Sequence, residues 1–138
     1  MKGRVVQYGS QVIRTHPQQP SSMDAIVACV QACMDCAVAC GSCADACLAE
    51  EKVAELRECI RLNLDCGDVC AATGAVISRL TRPHKAPMKA LLQACIEACR
   101  TCGEECASHA SMHAHCKACA EACRACEQAC AGLLRAVP

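Results

Sequence analysis

The sequence predicts an all-α protein, an antiparallel up-down-up-down bundle of four helices with a cysteine-lined core. Two observations carry this prediction. Cysteine accounts for 18 of the 138 residues, and most neighbouring cysteines are four or three residues apart in alternation. This alternation is the a/d seam of a heptad, so it places the sulfur atoms in one stripe along a helix. Polar turns, one of them rich in proline, then divide the chain into four amphipathic segments.

The composition argues against several classes of function. Lys and Arg together number 14, as do Asp and Glu, so the formal net charge is zero. Nucleic acids and anionic membrane surfaces attract basic proteins, and we expect neither as a partner. The chain has one Tyr and no Trp or Phe, which argues against sites that stack bases or enclose a ligand in aromatic rings.

Cysteine at this density indicates either a secreted disulfide scaffold or a metal-binding protein of a reducing compartment. The first ten residues contain no long apolar run, no signal cleavage site and no twin-arginine pair. We also expect no segment apolar enough to span a bilayer. The sequence therefore predicts a cytoplasmic protein with reduced thiols, in which cysteine clusters usually bind metal.

The first helix is predicted over about residues 22–49, after an N-terminal tail over residues 1–20 that ends in a polar stretch with two prolines. Ser21, followed three residues later by Asp24, is typical of a capped helix start. The bundle domain is accordingly placed at residues 21–138. The seam of the first helix consists of Cys29, Cys33, Cys36, Cys40, Cys43 and Cys47.

The second helix, predicted over about residues 51–80, has few cysteines. Its seam consists of Leu56, Cys59, Asn63, Cys66, Cys70, Thr73, Ile77 and Leu80. Asn63 is a polar residue among cysteines, and it either lends an oxygen to a metal or sets the register of the helices. A loop with two prolines, residues 81–87, ends this helix.

The third helix is predicted over about residues 87–108, with Pro87 in its first turn. The fourth is predicted over about residues 112–135, with Ser111 as its N-terminal cap. The third seam consists of Met88, Leu92, Cys95, Cys99, Cys102, Cys106 and His109. The fourth consists of Cys116, Cys119, Cys123, Cys126, Cys130 and Leu133.

Seam cysteines lie roughly 4.5–6 Å apart along the helix axis, which lets two thiolates hold one metal ion. Thiolates select Cu(I), Zn(II) or iron–sulfur clusters. Iron–sulfur motifs use consecutive C-x2-C gaps and a following proline, and this chain has neither. Zinc needs a tetrahedron of four ligands, which a single stripe supplies poorly, although cysteines of different helices could form one. Cu(I) accepts two or three thiolates, so we expect Cu(I), with a zinc or mixed soft-metal thiolate buffer as the alternative.

Other interpretations explain the pattern less well. A core that merely uses cysteine as a small apolar residue would leave many thiols open to oxidation. A dithiol oxidoreductase places one C-x2-C pair at a helix start beside strands, and no strand pattern is visible. A copper chaperone needs one or two surface cysteines rather than buried rows. No catalytic motif appears, so we expect a protein that is not an enzyme.

The chain resembles the bacterial copper storage proteins of the cytosolic type from about residue 22 to residue 135. The resemblance implies a four-helix bundle that stores many Cu(I) ions in its core, forms a homotetramer and admits the ions at one end. The second helix matches weakly because it has only three cysteines. The match rests on the runs Cys29-x3-Cys33-x2-Cys36-x3-Cys40-x2-Cys43-x3-Cys47, Cys95–Cys106 and Cys116–Cys130.

The two ends of the predicted bundle differ in chemistry. One end, which we call the histidine end, collects Cys47, Cys59, Cys106, Cys116, His109, Met112, His113 and His115. The other, the apolar end, collects Ile26, Ile77, Leu80, Met88, Leu92, Leu133 and Leu134. We therefore expect Cu(I) to enter and leave at the histidine end, where His109, Met112 and His113 act as weak capture ligands. The remaining histidines are expected to face water: His16, His84 and His115.

The predicted metal ligands are thus all 18 cysteines together with His109, Met112 and His113. If each Cu(I) bridges two thiolates and each thiolate bridges two ions, the capacity approaches one Cu(I) per cysteine. The protein that delivers or removes the copper cannot be inferred from these residues.

Overall fold

A computed structural model describes residues 8–138 of the chain. Over these residues the helices are α1 Tyr8–Arg14, α2 Met23–Leu48, α3 Arg57–Ile77, α4 Lys85–Ser108 and α5 Ala114–Ala136, with a short 3-10 turn at Val53–Leu56. Helices α2 to α5 form a ring in which each contacts its two neighbours. Short connections make consecutive helices antiparallel. The predicted all-α four-helix bundle is therefore confirmed.

The helix starts differ from the predicted ones. The N-cap of α2 is Ser22, but its side chain makes no capping hydrogen bond. The cap of α5 is His113 rather than Ser111, because His113 has extended backbone angles, φ −135° and ψ 115°, immediately before the helix. The predicted serine caps are therefore wrong. Pro87 lies in the first turn of α4, as expected.

Glycines allow the backbones of neighbouring helices to approach closely. A Cβ added at Gly67 of α3 would lie 3.4 Å from the carbonyl oxygen of Ala37 in α2. A Cβ added at Gly103 of α4 would lie 3.2 Å from Cβ of Cys123 in α5. These contacts draw the two helix pairs together around a narrow core.

Helix α2 is long and apolar enough to cross a membrane by length and composition alone, contrary to the expectation from sequence. The reason is that cysteine and alanine, which are frequent in α2, both raise the mean hydropathy of the helix. The core helix of a bundle can be equally long and apolar, and the cysteine side of α2 is buried within this bundle.

Residues 8–20, part of the segment predicted as a tail, contain α1 and contact the bundle near its apolar end. Ile13 is buried in the core cluster, and Arg14 Nη1 lies 2.9 Å from Asp24 Oδ1. His16, expected to face water, is half-buried: its Nδ1 accepts the Gln18 backbone N–H at 2.9 Å, and its Nε2 lies 3.3 Å from Thr81 Oγ1. His84, by contrast, is exposed.

Candidate metal centre

All 18 cysteines lie within the described residues, and all are buried as free thiols. Those of α2 face those of α5 at matched heights, because each heptad along α2 corresponds to one heptad back along α5. The Sγ–Sγ distances are Cys29–Cys130 3.7 Å, Cys36–Cys123 3.8 Å and Cys43–Cys116 4.0 Å. The cysteine seams of α2 and α5, both predicted from the sequence, therefore meet along the centre of the bundle.

The cysteines of α3 and α4 face one another in the same manner. Their Sγ–Sγ distances are Cys59–Cys106 3.8 Å, Cys66–Cys99 3.8 Å and Cys70–Cys95 3.8 Å. Sulfur atoms also meet across the diagonal of the ring, since Cys70 Sγ of α3 lies 3.8 Å from Cys126 Sγ of α5. The core is thus a continuous column of sulfur rather than four separate stripes.

Groups of four thiol sulfurs lie within 4.8 Å of one another at successive heights of this column. They include Cys33, Cys95, Cys126 and Cys130; Cys36, Cys40, Cys66 and Cys123; Cys36, Cys70, Cys99 and Cys126; Cys40, Cys102, Cys119 and Cys123; and Cys43, Cys47, Cys59 and Cys116. Cys36, Cys40, Cys123 and Cys126 each belong to two of these groups. Neighbouring groups therefore share ligands.

Asn63 is fully buried inside the sulfur column. Its Oδ1 accepts the thiol of Cys119 at 3.0 Å and that of Cys102 at 3.1 Å. Its amide nitrogen lies 3.4 Å from Cys59 Sγ as a donor. These contacts place an amide oxygen at the position where α3 would otherwise supply a sulfur.

At the histidine end, the thiols of Cys47 and Cys116 have pKa values above that of an ordinary thiol. Burial, followed by the charge of Cys59, raises the pKa of Cys47. Burial, followed by the charges of Cys59 and Cys47, raises the pKa of Cys116 to about 12. Because thiolates are the metal ligands, these groups must lose protons when a metal binds.

His115, expected to face water, instead contacts the sulfur column. Its Nδ1 lies 3.4 Å from Cys43 Sγ and 3.6 Å from Cys116 Sγ. Its Nε2 lies 2.8 Å from Glu50 Oε2 in the connection after α2. This hydrogen bond is the main cause that lowers the pKa of Glu50. Sequence reasoning placed His115 at this end but gave it no contact with sulfur, although its position next to Cys116 was a signal, and it did not single out Glu50.

The predicted capture residues surround a surface pocket of about 390 Å³ at the histidine end. His109 Nε2 lies 2.8 Å from Glu105 Oε2, and His113 Nδ1 lies 3.0 Å from Glu50 Oε2. Met112 lines the same pocket and is 65% exposed. The structure therefore brings His109, Met112 and His113 together at this end. The ring nitrogen that contacts thiol sulfur, however, belongs to His115.

The apolar end of the bundle is closed by aliphatic side chains. Leu92 and Leu133 are fully buried there, and Ile26, Ile77 and Leu80 are at most 7% exposed. Met88 and Leu134 are partly buried against them. The column is thus bounded by hydrocarbon at one end and by imidazole and carboxylate groups at the other.

Comparison with known proteins gives a consistent result. A protein family described as "Copper storage protein" matches residues 22–135. A solved structure of the copper storage protein from Streptomyces lividans, loaded with 10 copper equivalents, has 50% identity and a TM-score of 0.89, and the match covers 92% of this chain and 98% of that one. No curated protein sequence matches this chain.

Two further solved structures from Streptomyces lividans are similar. One describes copper loading to a cytosolic copper storage protein with five coppers; it is 55% identical, has a TM-score of 0.80, and the match covers 81% of this chain and 93% of that one. The other is a variant with a histidine replaced by alanine, 53% identical with a TM-score of 0.82, and the match covers 83% of this chain and 96% of that one.

Proposed function

Because the chain belongs to the copper storage protein family, we propose that it stores multiple Cu(I) ions in the core of its bundle and so buffers or detoxifies copper. The ions are held by cysteine thiolates, which are soft ligands and suit Cu(I). The solved relatives with five and with 10 coppers carry several ions each, and 18 cysteines allow the same here.

The observation that carries this function is the sharing of cysteines between neighbouring groups. Cys36, for example, is within 4.8 Å of the partners in two different groups of four. A zinc ion takes four ligands, so even if every thiolate bridges two ions, Zn(II) needs at least two cysteines per ion. Two-coordinate Cu(I) on bridging thiolates reaches one ion per cysteine, so a column of shared cysteines holds more Cu(I) than Zn(II). The zinc or mixed soft-metal buffer therefore stays the second candidate, favoured only by the tetrads themselves.

We also propose the ligand set and the route of the ions. All 18 cysteines act as ligands, and Cu(I) enters and leaves at the histidine end. There His109, His113 and Met112 capture the ion weakly, and it then passes to the tetrad of Cys43, Cys47, Cys59 and Cys116. The closed apolar end supports this direction, because the fully buried side chains of Leu92 and Leu133 close it with hydrocarbon.

The remaining properties are proposed from the family and from the sequence. The storage unit comprises residues 21–138, acts in the cytoplasm as its cytosolic relative does, and assembles as a homotetramer. It has no catalytic activity and binds neither nucleic acid nor membrane. These proposals agree with the zero net charge and with the absence of catalytic motifs.

Anaerobic titration of the reduced protein with Cu(I), followed by elemental analysis, tests the function. We expect saturation at about 18 Cu(I) per chain, one for each cysteine. Saturation at roughly four ions or fewer, the number that separate tetrahedral sites would hold, would contradict storage of Cu(I). A parallel titration with Zn(II) should saturate at no more than about half as many ions, because each four-coordinate zinc ion needs at least two cysteines even where every thiolate bridges two ions.

A further inference from the structure

One carboxylate oxygen joins two histidines at the histidine end of the sulfur column. Glu50 Oε2 lies 3.0 Å from His113 Nδ1 and 2.8 Å from His115 Nε2. The two imidazole rings are stacked, with centroids 5.4 Å apart and planes 20° apart. All three side chains are partly buried, at 19% exposure for His113, 27% for His115 and 32% for Glu50. They form a packed cluster rather than free surface groups.

This arrangement determines which ring nitrogen carries the hydrogen. An ionised carboxylate only accepts hydrogen bonds, and a neutral imidazole has one N–H and one bare nitrogen. The nitrogen that faces Glu50 must therefore be the N–H. In His115 this leaves Nδ1 bare, and that is the atom 3.4 Å from Cys43 Sγ and 3.6 Å from Cys116 Sγ. In His113 it leaves Nε2 bare.

A metal ion binds the bare nitrogen and cannot bind the N–H. In proteins, the nitrogen of a ligating histidine that does not bind the metal carries the N–H. A carboxylate that accepts this N–H fixes the tautomer and the ring orientation of the histidine. The same hydrogen bond makes the imidazole a better donor to the metal. Glu50 meets these conditions for two rings at once, and neither ring could rotate without losing its bond to the shared oxygen.

We propose that Glu50 is a positioning residue for copper transfer, which holds His115 with Nδ1 toward Cys43 and Cys116 and holds His113 with Nε2 available for capture. The inference rests on the proposed function, since it deepens the route by which Cu(I) reaches the thiols. Glu50 itself does not bind the ion in this scheme. Its role is to keep Nε2 of His113 and Nδ1 of His115 free to bind Cu(I) as the ion moves toward the sulfur column.

The test uses Glu50→Gln, which keeps the size of the side chain. The amide can donate as well as accept, so it no longer selects one tautomer. We expect uptake of Cu(I) from a coloured chelator, followed by anaerobic stopped flow, to slow by roughly tenfold, the lower range for losing such a partner. The total capacity should equal that of the unaltered protein. Glu50→Asp should recover part of the rate because it restores a carboxylate.

Nitrogen-15 NMR of the reduced, metal-free protein supplies a readout that a purely structural role would not change. The unaltered protein should show His115 with Nδ1 bare and Nε2 protonated, and Glu50→Gln should show a mixture of tautomers. Asp45→Asn removes one exposed carboxylate from the last turns of α2 and should leave both the rate and the tautomers unchanged, which controls for the loss of charge.

Three results would overturn the proposal. Glu50→Gln could load at the unaltered rate, His115 could carry its hydrogen on Nδ1 in the unaltered protein, or Glu50→Gln could lose one ion of capacity, which would make Glu50 a ligand. Failure of the proposed function looks different, because the unaltered protein itself would then not take up many Cu(I) ions.

Discussion

The amide oxygen of Asn63 on α3 lies 3.0 Å from the thiol sulfur of Cys119 on α5, the helix diagonally opposite in the bundle. A polar side chain thus stands inside a column of soft ligands, and its oxygen has thiols as hydrogen-bond donors. Thiols are weak donors, so the hydrogen bonds alone are a weak reason for a buried amide.

Replacing Asn63 by leucine should therefore separate a metal-related role from a structural one. Leucine is close in size and leaves only weak thiol donors without a partner, so we expect the unfolding free energy of the metal-free protein to change by less than about 1.5 kcal/mol. If Asn63 Oδ1 holds one ion alongside the thiolates, the copper capacity should fall by about one ion. Chemical denaturation and elemental analysis provide the two measurements. An unchanged capacity with a large loss of stability would assign Asn63 to helix register instead.

Replacing both His109 and His113 by alanine should slow copper uptake and copper removal several-fold. These rings bind Cu(I) more weakly than a bridged pair of thiolates, so they capture the ion without retaining it. The total capacity should stay nearly unchanged because the thiols remain. Stopped-flow exchange with a chelator measures both directions, and His84→Ala, which changes an exposed histidine at the α4 start, serves as the control. Loading of the double variant at the unaltered rate would contradict the proposed route.

Replacing Leu92 or Leu133 by alanine should destabilise the bundle without changing the uptake rate. Both side chains are fully buried at the apolar end, so each change should cost roughly 2–5 kcal/mol of unfolding free energy. Leu64→Ala, at a leucine that is 50% exposed, should cost much less. Denaturant unfolding of the metal-free protein checks this. Faster copper uptake by the Leu92 or Leu133 variant would show that the ions pass through the apolar end.

The reduced, metal-free protein should already be helical. Alanine-rich helices, close packing at Gly67 and Gly103, and the aliphatic closure of the apolar end do not depend on metal. Zinc fingers behave differently, because they fold only when metal binds. Far-ultraviolet circular dichroism before and after addition of Cu(I) should show little change. A coil spectrum that becomes helical only with copper would refute this expectation.

Copper loading should release protons into solution. The pKa of Cys116 is raised to about 12 and that of Cys47 is raised as well, so at pH 7 both thiols are protonated in the metal-free protein. Each must ionise to bind Cu(I), and we expect about one proton per thiol that becomes a ligand. A pH indicator in weakly buffered, anaerobic solution measures the release. Loading without acidification would mean that the thiols were already ionised.

The heptad spacing of the cysteines was sufficient to predict the helices and the inward stripe, and the residues near the turns predicted the contrast between the two ends. Cysteines four and three residues apart, such as Cys29, Cys33 and Cys36, share one face of any α-helix. Their burial then follows from the packing of four such faces. These features depend only on local geometry, which is why the sequence alone determined them.

The tertiary structure decided which side chains from different helices meet. The contact of Asn63 with Cys119 and the contacts of Glu50 with His113 and His115 all join residues far apart in the chain. Glu50 and His115 are 65 positions apart, and their contact depends on the rotation and relative height of α2 and α5. No local period encodes those two quantities, because they are set by the packing of the whole bundle.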